Sequence, residues 1–220
     1  MILKDLKFIC KIMKSSFEIK KFLVWGIGFM ALAVVLSLLP VGVPAYGFLL
    51  AAMAPIMLFQ GYMGLNYFRI VQVSPRCKDM LTGTLSTVVV AMALGGYVVG
   101  ALLAYLRALL GYDTFEKAGA NCLLMAVVMA VLLFYFLISY RWFIVSVGIL
   151  YVLMIVGAVG LQVLKVQEII LNSGIGNWGV LIGVVLICVM WLPLKGLAEL
   201  IYKRPLDPKA MGAMAKNQLV

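Results

Sequence analysis

Long apolar runs separated by short charged links constrain this chain more than any other feature. A helix needs about 20 apolar residues to cross the hydrocarbon core of a bilayer. Six segments reach or approach that length: Phe22–Leu39, Tyr46–Leu65, Leu85–Tyr105, Ala120–Tyr140, Trp142–Val163 and Trp178–Leu194. The first and last are the shortest. Of the 220 residues, 65% are apolar and 12% are charged. Soluble domains sit nearer half apolar and a quarter charged, and so few charges cannot build a water-facing surface. The expected fold is an all-α integral membrane protein with six transmembrane helices.

The charges orient it. Net charge is +10, and the basic residues cluster beside the apolar runs. With the N-terminus in the cytoplasm, 15 of the 18 Lys and Arg fall on the cytoplasmic side. Arg107, Lys117 and Lys165 remain outside. That is a strong positive-inside bias, predicting both termini in the cytoplasm. It also accounts for the basic balance without nucleic acid. The first run does not read as a cleaved signal peptide, because 21 residues precede it and further spans follow.

Several chemistries lack their residues. There is no histidine, hence neither the commonest general base nor the commonest transition-metal ligand. Cys10, Cys77, Cys122 and Cys188 form no CxxC pair, so they read as free thiols. No HExxH, GxSxG or paired-carboxylate pattern is present, and no GxxxxGK[ST] phosphate loop. No acid or base lies near the middle of a run, which disfavours an ionisable relay across the membrane.

The links carry more information. Ile2, Leu6, Ile9, Met13 and Phe17 recur on one helical face, and Lys4, Lys7, Lys11, Lys14, Glu18 and Lys21 on another. Residues 1–21 therefore read as an interfacial amphipathic helix, either a topogenic anchor or an elbow that also meets a partner. In the 66–84 loop, Ser74 can cap a helix, Pro75 suits its first turn and Gly83 its end. This predicts about two turns of cytoplasmic helix, exposing Arg76, Lys78 and Asp79, with Met80 and Leu81 against the bilayer or a partner. The simpler reading is an ordinary charged loop. Residues 164–177 are amphiphilic and predict a short helix or re-entrant piece before the last span. Gly96/Gly100 and Gly179/Gly183 are GxxxG pairs, marking faces that meet other helices. Gln60 and Asn66 are polar positions in the second run. Gln60 reads first as an interhelical hydrogen bond, and second, with Asn66, as part of a substrate pathway.

The layout resembles the membrane subunit of an ABC-2-type ABC transporter, and in particular small bacterial permeases close to the phenol-soluble modulin exporters. The opening Met1-Ile2-Leu3-Lys4-Asp5-Leu6 and basic amphipathic stretch are similar to theirs. So are the longer loop between spans two and three, the tight hairpin at Arg141 and the amphiphilic segment before span six. Where the family carries an LP-x-x-R/K sequence, Val73-Ser74-Pro75-Arg76-Cys77-Lys78-Asp79 stands here without the leading Leu.

The resemblance implies a multi-pass permease of a bacterial plasma membrane, not itself an enzyme. Residues 1–21 would be the connecting helix, 22–194 the transmembrane domain and 195–220 a cytoplasmic tail. Pro75–Thr82 would be the coupling helix, with Ser74, Pro75, Arg76, Lys78, Asp79 and Met80 contacting an ABC ATPase subunit. The chain would hold no cofactor, with ATP and magnesium on that ATPase. A second permease, identical or related, would complete the pathway. The cargo would be amphipathic peptides or other hydrophobic compounds. Two further readings use no ATP: a membrane immunity or binding protein, and a structural subunit of a larger complex.

Overall fold

The computed structural model describes residues 17–38, 51, 77–139 and 166–203. All regular structure among them is helical. Helix α1 spans Phe17–Leu38, α2 Cys77–Leu81, α3 Gly83–Leu109, α4 Phe115–Ser139 and α5 Val166–Asn172. A 3₁₀ turn, Ile175–Trp178, then leads into α6, Gly179–Val189, and α7, Trp191–Tyr202. Three stretches are long and apolar enough to cross a bilayer: Gly83–Leu109, Phe115–Tyr135 and Ile175–Leu200. Val24–Leu38 is a shorter apolar helix. These fall on four of the six apolar runs, three of them long enough to cross a bilayer. The runs at 46–65 and 142–163 lie outside the described residues, apart from Ala51, as does the Arg141 link.

Two helices run through expected domain bounds, and one helix end differs from expectation. Helix α1 runs without a break across residues 21 and 22, where the amphipathic helix was expected to give way to the span. Helix α7 likewise runs across residue 194. Gly83 does not end the short loop helix. It opens α3, two residues after Leu81, and its φ is not positive. The stretch before the last span is a short helix followed by a 3₁₀ turn, one of the two expected forms.

Local chemistry explains the α3–α4 turn. Gly111 has φ 78°, and its N–H donates to the Ala108 carbonyl. The Tyr112 N–H donates to the Arg107 carbonyl, completing a left-handed Schellman stop. Three residues later Thr114 caps α4, its hydroxyl accepting from the Lys117 N–H at 3.3 Å. Asp113 is thereby fixed between the two helix ends.

The α6–α7 junction has a different cause. Pro193 has no N–H and cannot bond back to Val189, so the helix steps at Met190. The bonds Met190 N–H to Leu186 and Leu194 N–H to Met190 carry the helical path across the step.

Specific contacts set the mutual directions. Rings of Tyr105 and Phe115 lie 6.2 Å apart, so α3 and α4 run antiparallel around the turn. Gly179 faces Gly119, and Gly183 faces Ala126, so α4 and α6 run parallel. Tyr97 reaches Val180 and Thr87 reaches Trp191, so α3 and α6–α7 run antiparallel. The C-terminal ends of α1 and α3 meet through Ser37 and Arg107. The core between α3, α4 and α6–α7 is filled by Tyr97, Met129, Ile187, Leu194, Val88 and Val89.

Glycine makes that packing close. A Cβ on Gly119 would run into the Gly176 carbonyl, and one on Gly179 into the Gly119 carbonyl. A Cβ on Gly183 would strike the Tyr97 ring. Lipid tails are as apolar as leucine, so helices in a membrane gain mainly from such close approach. The Gly179/Gly183 pair and Gly100 do face other helices, as their spacing predicted; Gly96 is buried as well.

Candidate functional site

Two polar regions stand at opposite ends of the bundle. The first is the start of α3, where the sequence placed its candidate contact residues. Lys78 and Asp79 lie on α2 and are exposed. Met80 is in the same helix. Ser74, Pro75 and Arg76 fall outside the described residues, as do Gln60 and Asn66.

Hydroxyl groups build the α2–α3 joint. Thr82, the one residue between the helices, donates its hydroxyl to the Lys78 carbonyl at 2.8 Å. Ser86 donates to the Thr82 carbonyl at 3.0 Å, and Thr87 to the Gly83 carbonyl at 3.0 Å. The Thr82 carbonyl also accepts the Ser86 backbone N–H at 3.1 Å, so the Ser86 hydroxyl adds a second bond to a carbonyl already inside the helical path. Thr82 and Ser86 are buried, so these bonds hold the joint in place. The Trp191 indole N–H then donates to the Thr87 hydroxyl at 3.2 Å, tying α7 to α3. The Lys195 ammonium lies 5.3 Å from the Trp191 ring centre, a cation–π contact at the same end.

The second region caps the opposite end. Arg107 Nε donates to Asp113 Oδ2 at 3.0 Å, and Lys117 Nζ lies 3.0 Å from Asp113 Oδ1. Arg107 Nη1 donates to the Ser37 carbonyl in the last turn of α1. The Tyr112 ring stands 5.7 Å from the guanidinium. Side chains of Arg107 and Asp113 are 4% and 5% exposed, whereas Lys117 is 42% exposed. Burial by itself raises the Asp113 carboxyl, but the hydrogen bonds and charges of Arg107 and Lys117 outweigh it and hold the group below its ordinary value. The cap pins the end of α1 to the α3–α4 turn. The helix dipole favours it, because a cation sits at the negative end of α1.

In the sequence Arg107 stands only as an outside charge. Asp113 and Lys117 were legible as an i,i+4 pair beside the Gly111 turn, but the Ser37 partner, 70 residues away, carried no sequence signal. Among the described residues no group of three or more Cys, Asp or Glu could hold a metal ion. Cys122 is a buried free thiol and Cys188 an exposed one.

The chain matches no protein-family model, no curated protein and no solved structure.

Proposed function

We propose that this chain is the membrane-spanning permease subunit of an ATP-driven ABC exporter, with six spans and both termini in the cytoplasm. The observation that carries the reading is α2. It is a short charged helix outside the apolar stretches, separated from a spanning helix by one hydrogen-bonded residue. A partner pressing on Lys78 and Asp79 would push on α3 with little slack, because Thr82 and Ser86 fasten the joint. The Thr87–Trp191 bond offers a route onward to α7. The meeting of the α1 and α3 C-terminal ends also suits the proposed topology, in which both helices cross outward.

In this reading a separate ATPase binds and hydrolyses ATP with magnesium. Its closure moves α2, and the spans rock between inward- and outward-open arrangements. A second permease, identical or related, forms the other wall of the pathway. Cargo is an amphipathic peptide or another hydrophobic compound.

The test is a mild-detergent pull-down of the tagged chain from its native operon, with mass spectrometry and an ATPase assay. A near-equal amount of a phosphate-loop ATPase is expected. Its absence, with no ATPase activity, sinks the exporter reading and favours a membrane binding protein or structural subunit. The double charge reversal R76E/K78E should abolish recruitment. Unchanged recruitment and activity would remove α2 as the docking site.

A further inference from the structure

One face of the last apolar stretch, Ile175–Leu200, is exposed among the described residues. Gly179, Gly183, Ile187, Met190, Leu194 and Ala198 are buried, at spacings of three and four. The opposite stripe, Trp178, Leu181, Ile182, Val185, Val189 and Leu192, is exposed. No charged residue occurs between Trp178 and Lys195.

We propose that this stripe is a lipid-facing seam, with Trp178 at the outer headgroup boundary and Lys195 at the inner one. The inference rests on the membrane reading and stands apart from the exporter reading. At 1.5 Å per residue, Trp178 and Lys195 lie about 26 Å apart along the helix, close to the roughly 30 Å hydrocarbon thickness. An indole at one end and an ammonium at the other are the side chains that favour the two boundaries.

Contacts place Trp178 independently. Its neighbour Gly179 faces Gly119, and a Cβ on Gly119 would lie 3.8 Å from the Tyr105 hydroxyl. Tyr105 is two residues from Arg107, so Trp178 sits about one turn beneath the polar cap.

Lipid suits the seam better than a second copy does. Helices associate in membranes through small residues that let backbones approach. Here Gly179 and Gly183 are turned inward, against α4 and α3. The seam offers mainly branched aliphatic side chains, which acyl chains solvate as well as protein does.

Val185 supplies a deep reference on the same stripe. It is 60% exposed and Trp178 is 63% exposed. It follows Trp178 by seven residues and precedes Lys195 by ten, about 10 and 15 Å along the helix. The two positions therefore share exposure and differ in depth.

The experiment uses the full chain in phosphatidylcholine vesicles brominated either near the glycerol end or near the methyl end of the acyl chains. Two variants each carry one tryptophan, either Trp178 or the one introduced by V185W, all other tryptophans being replaced by Phe. The Trp178 chain should lose more emission to shallow bromines, and the V185W chain more to deep ones. As a check on damage from multiple substitutions, W178F alone in the otherwise native chain should lower the shallow-bromine quenching and leave the deep-bromine quenching unchanged. Trp178 emission insensitive to both lipids, or a depth profile equal to that of the V185W chain, overturns the assignment. So does an oxidative disulfide dimer through Cys188, which would put a second copy on the seam.

Discussion

Gly179 of α6 lies against the backbone carbonyl of Gly119 in α4, with no room between them for a methyl group. Gly119 in turn lies against the Gly176 carbonyl, so the contact is reciprocal along the start of both helices. Backbone cannot swing aside as a side chain can. G119A and G179A should each cost about 1–3 kcal/mol, the usual range for overpacking. G100A is the contrast. Its new methyl would meet the Met125 sulfur and terminal methyl, the far end of a flexible side chain. With better helix propensity in its favour by up to ~1 kcal/mol, G100A should be close to neutral. Thermal unfolding of the detergent-solubilised chain distinguishes them. Equal losses at Gly100 and Gly119 would contradict this packing.

The cap gives a second prediction. D113N keeps the shape of the side chain but removes the carboxylate that serves both Arg107 and Lys117. Taking one partner from a buried ion pair costs about 3 kcal/mol or more. The variant should melt earlier, and α1 should loosen most, read as faster amide exchange near Ser37.

The pH dependence follows from the same carboxyl. Its folded-state value is lowered from the ordinary 3.8, so the folded chain holds the ionised form more tightly than the unfolded chain does. Its contribution is complete above the ordinary carboxylate value, is lost as pH falls from there through the lower folded value, and is absent below both. Melting measured across neutral pH should therefore show no step from Asp113. Acidification below about pH 4 should destabilise the native chain more than D113N, narrowing the gap between them.

Tyr97 separates hydrogen bonding from volume. Its hydroxyl donates to the carbonyls of Gly179 and Val180 at 3.3 and 3.2 Å, and its ring covers Gly183. Y97F loses only the hydroxyl, and interhelical hydrogen bonds in membranes average about 0.6 kcal/mol. Y97A empties a fully buried site beside two helices and should cost about 3–5 kcal/mol, as large-to-small core changes do. A Y97F loss as large as that of Y97A would mean the hydroxyl dominates instead.

The Thr87–Trp191 bond is suited to a double-mutant cycle. T87V and W191F should be non-additive by about 0.5–1 kcal/mol if the side chains interact as placed. Additive losses would remove the link between α3 and α7.

Much of this was legible in the sequence. Apolar runs longer than a bilayer crossing can be satisfied in few ways, so α3, α4 and α6–α7 were readable from Leu85–Tyr105, Ala120–Tyr140 and Trp178–Leu194. The inward faces of Gly100, Gly179 and Gly183 followed from spacing, because residues four apart share a helix face. Helix ends were less legible. Gly83 looked like a stop, yet it begins α3, because the Thr82 carbonyl takes the Ser86 N–H and starts the next helix at once, while the Thr82 hydroxyl reaches back to the Lys78 carbonyl. Partners far apart in the chain were not legible at all. Nothing local tells Arg107 to choose the Ser37 carbonyl, Trp191 to find Thr87, or Gly119 to face Gly179. Sequence determined which segments leave water, because burial free energy is summed residue by residue along the chain. Tertiary structure decided which segments touch, because that depends on how closely two backbones can approach, a property of pairs that no single segment contains.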